Sequence, residues 1–158
     1  MSSDPVQQRS LPGSSRAERP NIGILLREPF QAVVQRVSAG LAAAGFDDLR
    51  PAHAAVFQHI EAGGSRLTDL AERAQITKQS MGYLVDYLEQ RGYLERRPDP
   101  TDRRAALVCL TERGWDQIRA ALATIAEIEA EWASKLGNPR MEQLRETLTE
   151  LRQLTRTP

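Results

Sequence analysis

Leu67-Thr-Asp-Leu-Ala-Glu-Arg-Ala74, then Gln75-Ile76, then Thr77-Lys-Gln-Ser-Met-Gly-Tyr-Leu-Val-Asp-Tyr-Leu-Glu-Gln-Arg91, then Gly92 and the run Tyr93 to Thr111 decide the fold. The first segment has the apolar spacing of a short amphipathic helix, and the second reads as a tight turn. The third is a longer helix that opens on polar side chains and is stopped by Gly92. Thr77 caps that helix by accepting from free first-turn amides. Its inward residues fall on Met81, Leu84, Val85 and Leu88, at helical spacing. Tyr93 to Arg97 and Ala105 to Leu110 read as two strands joined by the charged loop Pro98-Asp-Pro-Thr-Asp-Arg-Arg104. Two helices around a tight turn, followed by a basic hairpin, make a winged helix-turn-helix, an arrangement suited to gripping duplex DNA.

Outward from this stretch, residues 21–45 carry Ile22, Leu25, Leu26, Phe30, Val33, Val34, Val37 and Leu41 at helical spacing. Pro29 predicts a kink or a helix start within them. Asp47 to Arg50 is a loop. Pro51 suits the first turn of a second helix running to about Ala62, which Gly63-Gly64-Ser65 closes. Thr68 is the predicted cap of the helix over 67–74. Thr111 caps a long helix to about Leu136, with Trp115, Ile118, Leu122, Ile125, Trp132 and Leu136 stepping by threes and fours. Gly137-Asn138-Pro139 breaks the chain, and Met141, Leu144, Leu148, Leu151 and Leu154 mark a last helix. Such stripes on long rods predict helix–helix packing. The first 20 residues, rich in Ser, Pro, Gln and Arg, read as a disordered tail.

The 158 residues are enough for one domain with a true core. With 41% hydrophobic and 27% charged residues the composition is that of an ordinary globular protein. No apolar run approaches the roughly 20 residues needed to span a bilayer. The start lacks the apolar centre of a secretory signal, and a lone cysteine fits a reducing compartment, so the expected location is the cytoplasm. Formal net charge is zero, so any affinity for nucleic acid must come from local charge. From Arg91 to Arg104 five arginines stand against Glu95, Asp99 and Asp102. No Gly-rich phosphate loop, Ser-His-Asp set or carboxylate pair has supporting context, and neither an enzyme nor a cofactor is expected. His53 and His59 lie six apart on one predicted helix, hence on different faces, and without further ligands make no metal site. Cys109 reads as a small structural or surface residue.

The sequence resembles the MarR family of bacterial transcriptional regulators. The resemblance is carried by residues 67–74, by Leu84-Val-Asp-Tyr-Leu-Glu-Gln-Arg-Gly-Tyr-Leu94, by Arg96-Arg-Pro-Asp-Pro-Thr-Asp-Arg-Arg104 and by Val108-Cys-Leu-Thr-Glu-Arg-Gly114. It is continuous over 67–114. It implies a mainly α fold with a small β-wing: a single domain over 21–158 with the winged helix-turn-helix at about 51–110. Dimerisation helices would lie at about 21–45 and 111–155. It implies a homodimer on a pseudo-palindromic DNA duplex, commonly a repressor. In many members a small aromatic or phenolic effector releases the DNA. His53, Phe57 and Trp115 are the candidates for lining an effector pocket.

Within that picture Lys78, Gln79 and Ser80 open the recognition helix and face base edges or flanking phosphates. Thr77 and Ser80 suit phosphate. Tyr83 either faces the duplex or is merely exposed. Gly82 either lets the helix approach DNA closely or packs tightly within the domain. The resemblance puts Arg104 at the hairpin tip, in the minor groove, with Asp102 holding the hairpin in shape. It makes Asp86 the acidic residue that bonds to that wing arginine and ties the wing to the recognition helix. Arg97 and Arg103 are phosphate contacts. Two readings compete with this one. The charge run could be a solvated loop, and the winged helix could be a protein-interaction module whose wing arginines are dispensable.

Overall fold

The structure, a computed structural model, describes residues 19–156, with the backbone alone at Arg103 and Arg156. The expected disordered tail lies almost wholly outside the described residues. In chain order the elements are α1 (Ile22–Ala43), a 3-10 turn (Pro51–His53) leading into α2 (Ala54–Phe57), β1 (Ser65–Arg66), α3 (Leu67–Arg73), α4 (Lys78–Gln90), β2 (Leu94–Asp99), β3 (Asp102–Leu110), α5 (Glu112–Leu136) and α6 (Asn138–Arg156). The architecture is mainly helical with one small antiparallel sheet in the order β1-β3-β2.

The helix-turn-helix forms as its residues dictate. In the turn Gln75 takes a left-handed conformation (φ +55) that usually falls to Gly or Asn. Thr77 caps α4, its hydroxyl accepting from the Ser80 amide at 3.1 Å. Met81, Val85 and Leu88 are fully buried and Leu84 is half-buried, so the inward face is the expected one. Gly92 ends the helix with φ +75. The core joins these residues to Val56, Leu70, Tyr93 and Val108, with Leu41 and Leu49 arriving from α1 and its following loop. Each large side chain sunk there contributes roughly 1.5–3 kcal/mol.

Several boundaries differ from expectation. α1 is continuous through Pro29. The carbonyl that the proline leaves without a donor belongs to Leu25, on an exposed stretch where water can satisfy it. The second helix stops at Phe57 instead of Ala62, because Gln58 to Gly64 turn back to start a strand. That strand, Ser65–Arg66, makes the sheet three-stranded, pairing Ser65 with Val108 and Arg66 with Leu107. Thr68 does not cap α3. The cap position is Arg66, with no side-chain bond, and the Thr68 hydroxyl bonds the Asp69 carboxylate at 3.2 Å. The wing strands run closer to the tip than expected, leaving Pro100 and Thr101 between them.

α5 starts under the wing. A Cβ on Gly114 would lie 2.3 Å from the Tyr93 carbonyl oxygen, so only glycine allows this approach. α5 then runs along α1, to which Arg36–Glu131 ties it at 2.6 Å. α6 packs chiefly on α5, and Leu144, Leu148, Leu151 and Leu154 stay exposed. The early turns of α1 likewise leave Ile22, Leu25, Leu26 and Phe30 uncovered. On α5 the long stripe is only half-covered, and the residue that is fully sunk is Ile128, beside the expected rhythm.

Candidate functional site

The start of α4 projects from the domain. Thr77, Lys78, Gln79, Ser80 and Tyr83 are all exposed, and the Gln79 amide donates to the Tyr83 hydroxyl at 3.3 Å across one turn. The Thr77 hydroxyl is engaged twice, as the cap and as donor to the Ser80 hydroxyl at 2.8 Å. No acidic residue lies in the first turn of α4, whereas α3 and α5 carry Asp69 and Glu112 there. The positive end of the helix dipole is therefore left uncompensated, which favours an anion. At Gly82 a Cβ would come no nearer than 3.9 Å to Leu67, so tight packing does not explain the glycine.

The wing is built by two carboxylates. Asp99 is buried, and its Oδ1 accepts from the Thr101 amide at 2.8 Å and hydroxyl at 2.6 Å. Its Oδ2 meets the Arg66 guanidinium at 2.6 Å. Those bonds, Thr101's first and Arg66's after them, hold its carboxyl down at about 2. Asp102 accepts from the Arg104 backbone amide at 3.0 Å, as expected of a residue that shapes the hairpin. Pro98 pairs with Ala106 and Asp99 with Asp102, so residues 103–105 have no partner on β2. The tip bulges there, presenting Arg104.

The arginines of the wing divide by their partners. Arg96 donates to Asp86 at 2.5 Å and to Glu89, tying β2 to α4. The acidic tie expected of Asp86 exists, but it holds Arg96 and not Arg104. Arg97 pairs with Glu95 two residues away on its own strand. Arg91 lies 3.8 Å from Asp48 and over the Tyr87 ring. Arg104 and Lys78 have no ion-pair partner among the described residues, and both are exposed. The side chain of Arg103 lies outside what is described.

A second feature is a cavity of about 690 Å3 between α1, α5 and the segment Pro51–His59. Its walls are mostly aliphatic, including Val33, Val37, Leu41, Ile118 and Ile125. His53 and Phe57 line it as expected; Trp115 does not. Trp115 borders a separate polar hollow with Glu95, Arg97 and Cys109. Helical spacing along α5 does not tell which neighbour each turn faces. His59 also lines the cavity, since the helix that should have turned it away from His53 has already ended. His53 is buried, stacked on Tyr87 at 4.6 Å, and accepts from the Arg50 amide at Nδ1, 2.9 Å. Burial first, and Arg50 second, push its pKa down. Among the described residues no group of three or more His, Cys, Asp or Glu could hold a metal ion, and no helix is long and apolar enough to cross a membrane.

Residues 47–105 match the sequence profile of the MarR family. That segment, from the loop after α1 to the wing, is of the MarR type. Among its MarR-type and related regulators, an uncharacterized HTH-type transcriptional regulator of Bacillus subtilis, YdcH, is 29% identical over 109 residues, spanning 68% of this chain and 74% of that one. CouR from Rhodococcus jostii RHA1, solved bound to p-coumaroyl-CoA, is 28% identical with TM-score 0.66, covering 87% of this chain and 95% of CouR. A second structure, of the transcriptional repressor CouR on a 23-mer DNA duplex, is 25% identical with TM-score 0.66, over 83% and 92% of the two chains. The winged helix is thus of the MarR type, and the proteins it resembles are transcriptional regulators, CouR among them solved on DNA.

Proposed function

We propose that this regulator is a cytoplasmic repressor that binds a pseudo-palindromic operator as a homodimer and lets go when a small aromatic molecule enters the cavity. The observation that carries the DNA-binding surface is the pairing pattern of its cations. Lys78 at an acid-free helix start and Arg104 at a bulged tip keep their charge uncompensated, while Arg96 is met by Asp86 and Glu89 of α4 and Arg97 by Glu95 of its own strand. A merely solvated charge run has no reason to sort its arginines in this way.

Gln79 reads base edges, where amide pairs with adenine are favoured, and Lys78 reaches guanine or phosphate. Tyr83 supports Gln79 through its hydroxyl. Ser80 and Arg103 position the protein on phosphates, Arg97 contributes less because Glu95 already meets its charge, and Arg104 enters a minor groove whose narrow A·T-rich form attracts it. Thr77 acts chiefly as the cap. Asp86 and Asp102 hold the wing rather than the duplex. The exposed apolar faces of α1 and α6 supply the dimer contact, and two-fold symmetry then sets the recognition helices about 34 Å apart. The relative CouR, bound to p-coumaroyl-CoA in one structure and to DNA in another, supports a ligand-responsive reading.

Selection of bound sequences from a random duplex pool tests this. An inverted repeat bound well above random duplex at physiological salt is expected; equal binding to all duplexes refutes the reading.

A further inference from the structure

We propose that Gly82 is the seat of one sugar–phosphate strand of the duplex: the strand crosses the wing-facing flank of α4, and a side chain at this position would hold it off. The inference deepens the DNA-binding reading above and rests on it.

Among the described residues nothing in the fold accounts for this glycine. It stands inside the helix Lys78–Gln90, and its φ is not in the left-handed region. A Cβ on it would meet only the Leu67 side chain, at 3.9 Å, which is ordinary contact. Gly40 and Gly114, also in helices, differ: a Cβ there would come within 2.4 Å of Thr124 and 2.3 Å of Tyr93. Relative to alanine, glycine in a helix interior lowers the folding constant by about fivefold. A destabilising residue with no role inside the fold points to a partner outside it.

The flank on which Gly82 lies identifies that partner. Gly82, Asp86 and Glu89 share one face of α4 by their spacing. Asp86 and Glu89 both accept from Arg96 of β2, Asp86 at 2.5 Å, so that face is turned to the wing. Gly82 is one turn nearer the start of the helix and only half-buried. In the docking proposed above, α4 fills the major groove and the wing tip the adjoining minor groove. The strand that divides the two grooves must then pass between helix and wing, over residue 82. Lys78, a further turn back on the same flank, offers its phosphates an exposed cation with no ion-pair partner among the described residues. Beyond Gly82 the face becomes acidic, two carboxylates to one guanidinium, which confines the strand to the start of the helix.

The test compares Gly82→Ala with the parent, both as the full chain, by thermal melting, by anisotropy titration on the selected operator and by repeated pool selection. The variant should melt about 2–4 °C higher, because alanine suits a helix interior better. It should nevertheless bind the operator at least about tenfold more weakly, since each subunit of the dimer now wedges a methyl group against a strand. Base preference and salt dependence should stay those of the parent, because the strand carries no sequence information and no charge has been removed. Affinity equal to the parent's, a loss confined to one base pair, or a variant that melts lower would each overturn the assignment. The two readings fail separately. A parent that prefers no operator removes the DNA-binding reading and this inference with it, whereas a parent that binds its operator no better than Gly82→Ala does removes only the seat.

Discussion

Arg104→Ala isolates the wing tip from the fold. The Arg104 guanidinium makes no ion pair among the described residues. The bond that shapes the tip is made by its backbone amide to Asp102 at 3.0 Å, and alanine keeps that amide. Unfolding stability should therefore stay within about 0.5 kcal/mol of the parent. DNA binding should change much more. Each phosphate charge neutralised adds about 0.9 to the steepness of log affinity against log salt. Loss of one such contact per subunit makes the dimer's slope about 1.8 shallower. At about 0.15 M salt the same relation gives roughly 5.5-fold per contact, or about 30-fold for the pair. Anisotropy titrations on the selected operator between about 50 and 300 mM salt would measure both quantities, with urea unfolding as the control. Arg97→Ala is the internal comparison. Its charge is already met by Glu95, so its slope should change less. An unchanged slope for Arg104→Ala in a fully folded dimer, or equal effects of the two substitutions, would refute the argument from cation pairing.

Gln79→Ala should relax base preference at one position of each half-site, a loss of about 1–3 kcal/mol in discrimination visible when the pool selection is repeated. Tyr93→Phe removes a hydroxyl that donates to Asp48 at 2.6 Å and accepts from Arg113 at 2.9 Å. It should cost about 1.5–3 kcal/mol in urea unfolding and lower Tm by about 3–12 °C. Asp99, held at about 2 against 3.8 for a free carboxyl, adds stability that is complete above about pH 4. As pH falls towards 2 the unfolded chain takes up the proton first and that stability is lost, so Asp99→Asn should be weaker near neutrality and show a shallower decline of the urea midpoint between pH 4 and 2. Leu148→Glu places a charge on the exposed face of α6 and should yield monomers in sedimentation velocity, with operator affinity falling accordingly.

The recognition helix was legible because its signals are local. Thr77 announces its start, Gly92 its stop, and the burial of Met81, Val85 and Leu88 follows from spacing alone. The long helices were legible for the same reason. What escaped depends on contacts distant in sequence. β1 is two residues, too short to show alternation, and exists because β3 offers it an open edge. The Arg66–Asp99 pair spans 33 positions. Asp86 was correctly tied to the wing, yet which arginine it holds depends on the strand's approach to α4.

α6 finds little inside its own subunit to rest on, and its leucines remain wet. A rod of that kind is marginal alone and gains its order from a neighbour. Assembly of the proposed dimer and completion of its fold would then be one equilibrium governed by mass action. Thermal midpoints would climb with protein concentration, and a cell holding few copies would keep a larger fraction open to proteolysis, so that abundance itself would tune how long each regulator survives.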